Sequence, residues 1–195
     1  MSIATAIPAG AYSHGGAVNY ANTYWQNYNS QFQAYSDDCT NFVSQALWQG
    51  GGHPFAGSPN NLVYNNDGQW WVGTGGSLTY GSTRTFSWSV ADDLDRYLNG
   101  ADPGSSTNEY QLPPQQGTYS PNDIVAGDPI FYHWNVNQPG PLNHAAIQVG
   151  IGTDPNGWYG NLVDAHTSSH GGAFWTLQDY NSQWQTTQTV EIHIY

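Results

Sequence analysis

At 195 residues the chain is long enough for one domain with its own core, and its single cysteine excludes an internal disulfide. It has no lysine, two arginines and a formal net charge of -12. Nothing in it can neutralise a row of phosphates, which excludes nucleic acid and anionic membranes as partners. The remaining polarity comes from Asn, Gln, Ser and Thr interleaved with Trp and Tyr, a surface suited to an exported protein that handles peptide or glycan. No apolar run is long enough to span a bilayer. Met1 to Ala11 lacks the basic and apolar regions of a signal peptide. That leaves either a cytoplasmic protein or a secreted one whose leader has been removed; the composition favours secretion.

Residues 1–13 read as a loose lead-in, and nothing in 14–195 marks a second domain. Gly16 to Tyr28 (GAVNYANTYWQNY) places Val18, Ala21 and Trp25 on one helical face. The stretch YSDDCTNFVSQALWQGGG follows. Phe42, Val43, Ala46 and Leu47 recur at helical spacing, Gly50 to Gly52 stop the pattern, and Asp37 or Asp38 supplies the N-cap. Cys39, the only cysteine, therefore falls in the first turn of a buried helix. Unpaired backbone N–H groups there favour a thiolate and suit an oxyanion. A lone cysteine is also a small apolar residue that cores accept readily, so its weight depends on what accompanies it.

Residues 53–86 read as loop with short strands; Trp70 and Trp71 either pack over the core edge or wall a substrate groove. Ser87 to Asn99 predicts a second helix with Val90, Leu94, Tyr97 and Leu98 inward, and Ser89 with Asp92 as a capping box. Residues 101–122, rich in proline, read as an irregular connection. Strands follow: Pro129–Trp134, His144–Ile151, a return strand near Trp158–Thr167 after an Asn-Gly turn, and a closing strand Glu191–Tyr195. Helices first and an antiparallel meander after is an α+β layout.

If paired positions in that hairpin sum to about 310, His144 lies beside His166; a slip of two residues puts it beside Asp164. Cys39, His144 and either Asp164 or His166 then suit the roles of nucleophile, general base and orienting group. Asp38, Trp70, Trp71 and His133 are the candidate substrate contacts. No cofactor or metal is called for.

DCTNFVSQAL with its glycines, GDPIFYHW, NHAAIQVG, DAHTSSH and the closing EIHIY together resemble the putative bacterial amidase domain family. The likeness runs from about Tyr12 to Tyr195. That family is related to the NlpC/P60, papain-like cysteine peptidases. The resemblance implies a papain-like fold whose nucleophile helix packs on the meander. It also implies Cys39 as nucleophile, His144 as general base, and Asp164 as orienter in preference to His166, which matches the family's AHT position. Peptidoglycan stem peptides or other secreted peptides are the implied substrates, and a monomer the implied state. The absence of lysine and the segment HWNVNQPGP depart from the family pattern and bear on substrate choice.

Three rival readings compete. A metal hydrolase using His133, His144, Asp164, His166 and His170 has suitable ligand types, but it lacks an HExxH or CxxC spacing and leaves Cys39 idle. A wall- or glycan-binding module would use exposed aromatics and need no thiol. A thiol acyltransferase would share the chemistry and differ only in the acceptor. His14, His53 and His193 have no partner visible in the sequence. Arg84 and Arg96 are expected to pair with nearby carboxylates such as Asp92, Asp93 and Asp95.

Overall fold

The computed structural model describes residues 11–76, 78–102, 105–110 and 124–195. It is mixed α+β: a helical layer lies on one face of a six-stranded antiparallel sheet. Helix α1 (His14–Tyr24) is capped by the Ser13 hydroxyl, which accepts from the Gly16 N–H. Its buried side is Ala17, Tyr20 and Ala21, one residue round from the expected stripe; Val18 and Trp25 are only half-buried. The rotation follows from a glycine contact. A Cβ on Gly16 would lie 2.2 Å from the Gly50 carbonyl oxygen, so the two backbones meet directly and fix which side of α1 turns inward. Tyr12, inside the expected lead-in, is buried and donates its hydroxyl to the Gly127 carbonyl.

Helix α2 (Cys39–Gln45) runs on through a π-helical turn, Ala46–Gly50. All seven residues of α2 are buried, so it is the central rod of the helical layer. Its apolar side packs against the sheet, and its polar side is spent on internal hydrogen bonds. Ser44 accepts from Trp70 Nε1, Gln45 from the Tyr20 hydroxyl, and Asn41 from Trp88 Nε1. A buried polar side chain that finds its partner adds stability instead of subtracting it.

Between the helices, β1 (Val63–Tyr64), β2 (Val72–Gly73) and β3 (Thr83–Thr85) form a small sheet in the order β1-β3-β2. The expected helix over 87–99 is broken. Short α3 (Phe86–Ser89) and α4 (Ala91–Arg96) are separated by Val90, which is extended (φ -124°, ψ 126°) and exposed. The break lets Trp88 enter the core at its own angle, and a β-branched residue accepts an extended backbone readily. Ser89 does not cap; its hydroxyl accepts from Arg84 Nε. Leu94, Tyr97 and Leu98 are buried as their spacing implies. Arg96 pairs with Asp67, Asp92 and Asp93, while Arg84 lies over the Tyr35 ring and meets no carboxylate among the described residues.

The large sheet has the order β4-β9-β5-β6-β7-β8, comprising β4 (Ser105–Tyr110), β5 (Pro129–His133), β6 (His144–Thr153), β7 (Tyr159–Ala165), β8 (His170–Phe174) and β9 (Gln188–Ile194). Strand β4 falls within the expected connection, of which residues 103–104 and 111–122 lie outside the described residues, and β8 stands where no strand is expected. Phe131, Ala145, Ile147, Val190 and Ile192 face the helices. Ile130, Tyr132, Ala146, Val163 and Ala165 face the other way and are covered by Trp175 and Leu177. No helix among the described residues is long and apolar enough to cross a membrane.

Candidate active site

The start of α2 is bolted to the end of β7 by three adjacent residues. The backbone N–H of Asp38 donates to Thr167 Oγ1 at 2.9 Å, and the Asp38 carboxylate bonds His166 Nδ1 at 2.7 Å. The other carboxylate oxygen of Asp38 accepts from the Tyr35 N–H and from Asn41 Nδ2. His166 Nε2 lies 2.8 Å from the Tyr24 carbonyl, and its ring is sandwiched between Phe42 and Tyr28 at 4.2 and 4.4 Å. Both ring nitrogens of His166 thus lie within hydrogen-bonding distance of an oxygen. The block DCTNF and the distant AHT are therefore two halves of one clamp: Asp38 takes His166, and Phe42 stacks on it.

Cys39 follows directly and is almost fully buried. Its Sγ lies 3.7 Å from the Thr40 hydroxyl and is within hydrogen-bonding reach of the Ala145 backbone N–H. Burial pushes the thiol above its ordinary value; the bonds to Thr40 and Ala145 offset this only in part. This corrects the expectation of a thiolate favoured by helix position. The desolvation of a buried anion outweighs the partial charge of a short helix.

His144 is the first residue of β6, one residue from the N–H that touches Cys39. Its side chain, however, is turned to the far face of the sheet. It sits opposite Tyr132 in the β5 register and stacks on Trp134 at 5.2 Å between centroids. Burial, with a smaller contribution from the nearby His170, lowers it to about 3, so the ring is neutral at physiological pH. It lines a cleft with Trp134, Thr167, Ser168, His170, Leu177 and Tyr180. Trp134 and Tyr180 are not among the expected contacts, whereas His170, in SSHGG, is expected at the cleft rim and does line the cleft. Of the former two, only Trp134 had a hint, in the HW dipeptide, because the fold of 175–181 over the sheet is not periodic. The ring of His170 stacks on Tyr180 at 3.9 Å.

The expected orienters are elsewhere. On the near side of a bulge at Gln148/Gly150, β6 and β7 pair with positions summing to 311: Ile147 faces Asp164 and Gln148 faces Val163. A shift of one from the expected sum inverts the parity. Asp164 therefore shares the helix-side face with Ile147, and His144 shares the opposite face with Ala146. Asp164 accepts from the Gly172 N–H at 2.8 Å, and burial raises its carboxyl to about 6. Neither Asp164 nor His166 bonds to His144. The structure also removes the expected substrate contacts. Trp70 and Trp71 are fully buried, Asp38 is fully buried with its oxygens committed to the clamp, and His133 is not among the cleft residues.

The fold and site together define an α+β protein with a buried helix-start thiol against the start of β6 and a histidine-lined, aromatic cleft on the other face of the sheet. A family model described as "Putative amidase domain" matches residues 11–195, and the chain belongs to that family, whose description is one of hydrolysis of amide bonds. The chain is also 29% identical over 185 residues to the uncharacterized protein YhbB of Bacillus subtilis (strain 168). That match covers 94% of this chain and 50% of the relative, so the chain spans about half the length of the curated relative it matches. No solved structure matches it significantly.

Proposed function

We propose that this chain hydrolyses amide bonds through an acyl-thioester on Cys39, with His144 carrying the proton, on a papain-like, NlpC/P60-related plan. One observation carries the reading: the only thiol in the chain touches the main chain of the strand residue that follows the cleft histidine. The His144 ring lies on the other face of the sheet from the sulfur, so this reading requires the chain at the start of β6 to re-orient and carry the ring to Sγ. With the thiol raised and the imidazole lowered, the resting pair is neutral thiol and neutral imidazole, not a preformed ion pair. His144 therefore takes the thiol proton as Sγ attacks the carbonyl, then delivers it to the leaving amine, and in the second half takes a proton from the water that cleaves the thioester. Backbone N–H groups of the first turn of α2 hold the oxyanion. Trp134 and Tyr180 suit flat or apolar substrate segments, and a cleft without a cation suits neutral peptide. On these grounds we propose cell-wall stem peptides or other secreted peptides as the substrate class.

The test is turnover of peptide amides together with the pH dependence of Cys39 alkylation. Cys39→Ala should abolish turnover, and His144→Ala should lower kcat by about 10²–10⁴. Alkylation of the free enzyme should titrate at or above the ordinary thiol value of about 8.5, and should not move to lower pH when His144 is present. Full turnover, or full wall binding as the only activity, in Cys39→Ala would refute the reading.

A further inference from the structure

At the opposite end of β5 from the cleft, three residues far apart in the chain converge. Asp128 is fully buried just before β5. His14 Nε2 lies 3.2 Å from one of its carboxylate oxygens, and His193 Nδ1 lies 2.8 Å from the other. The two imidazoles are nearly parallel, 5.5 Å between centroids at 17°, and the three ligand atoms all lie within 4.8 Å of one another. We propose that His14, Asp128 and His193 form a binding site for a divalent transition-metal ion such as zinc, with a structural role.

Four observations support this. The donor set of two imidazoles and one carboxylate is a zinc-type set with a fourth position left for water. Zinc–ligand bonds of about 2.0–2.1 Å place tetrahedral ligand atoms about 3.3 Å apart; the two histidine nitrogens lie 3.2 and 2.8 Å from different oxygens of the one carboxylate, so small side-chain shifts bring one ligand atom from each residue onto a common ion. The third pair closes by rotation of two rings that reach the surface, with side chains 28% and 23% exposed. Second, His14 Nε2 is shielded from solvent and makes no hydrogen bond of acceptable geometry, despite its closeness to Asp128. It is a ligand atom aimed into the site without a hydrogen bond to satisfy it. Third, the site has an outer shell. The Asp128 oxygens also accept from the Val125 and Ile194 N–H groups at 2.8 and 3.1 Å, which fixes the carboxylate. The His14 backbone is pressed against Gly127, where a Cβ would come within 2.7 Å, and Tyr12 packs edge-on to its ring. Fourth, neither arginine lies in the cluster, and a net charge of -12 favours a cation.

Asp128 lies four residues along the strand from Tyr132, which faces His144. At about 3.3 Å per residue the site is roughly 13 Å from the cleft. A metal here clamps the first helix, the sheet centre and the last strand together and takes no part in chemistry at Cys39.

The experiment titrates Co²⁺, as a visible reporter for Zn²⁺, into the intact chain and into Cys39→Ser. The expected result is one equivalent with tetrahedral d–d absorption, identical in both and without a thiolate charge-transfer band, and a Tm that rises with cobalt concentration. His14→Gln and His193→Gln should each weaken binding at least about tenfold. Absent saturable binding, binding unchanged in both histidine variants, or binding lost in Cys39→Ser overturns the proposal. Should a variant fail to fold, zinc-induced shifts of the histidine ring resonances in the wild-type chain decide the matter. Shifts confined to histidines other than His14 and His193 also overturn it.

Discussion

Replacing His166 by alanine is the sharpest test of how the nucleophile segment is held. The imidazole is sealed between Phe42 and Tyr28, and its partner Asp38 is fully buried. After the substitution Asp38 keeps its bonds from Tyr35 and Asn41 on one oxygen, but the other loses its only close partner. Removing one partner of a buried carboxylate–imidazole pair is strongly destabilising and costs about 3–5 kcal/mol. For a chain of this length each kcal/mol lowers Tm by about 2–4 °C, so the expected fall is roughly 6–20 °C. Urea melts at pH 7 on wild type, His166→Ala, Asp38→Asn and the double variant supply a full cycle. The double variant should lose less than the sum of the singles by more than about 1 kcal/mol, because neither side chain is then left facing a missing partner. A His166→Ala protein within about 1 kcal/mol of wild type, or additivity within about 0.5 kcal/mol, would refute the clamp.

Two further outcomes follow from packing and burial. Glu191 is fully buried on β9, and desolvation raises its carboxyl to about 8. Its folded value lies above its unfolded one, so the folded state holds the proton more tightly and stability falls as pH rises from about 4.5 to about 8. The upper bound is on the order of 3–5 kcal/mol. Glu191→Gln should flatten that slope, gaining on wild type as pH rises; urea midpoints from pH 4 to 9 that keep a constant difference would contradict it. On α1, Gly16→Ala should destabilise by about 1–3 kcal/mol because its Cβ meets the Gly50 backbone. Gly15→Ala, with nothing within 4 Å, should stabilise by about 0.5–1 kcal/mol. Equal thermal shifts for the two would show that the α1 crossing is not set by that contact.

Local pattern alone determined a good part of this protein. The helix around Cys39, its glycine stop, the buried apolar faces of Phe42, Val43, Ala46 and Leu47, and strands β5, β6, β7 and β9 all follow from periods of 3.6 and 2 that neighbouring residues display. The blocks DCTNF, NHAAIQVG and DAHT were legible as a family signature, which the match over residues 11–195 supports. Only the tertiary structure decided the rest. Strand register is one integer fixed by a bulge, and the odd sum of 311 turned Asp164 and His166 to the helix face, away from His144. Trp70 and Trp71, in a stretch without period, went wholly inside. His166 became part of the Asp38 clamp because the end of β7 happens to meet the start of α2. His14, Asp128 and His193 met across a span of the chain that no local pattern registers. Periodicity reports which side of an element is apolar. It carries no record of which other element arrives there, because that choice is made by backbone contacts such as Gly16 on Gly50 and by the bonds of buried groups.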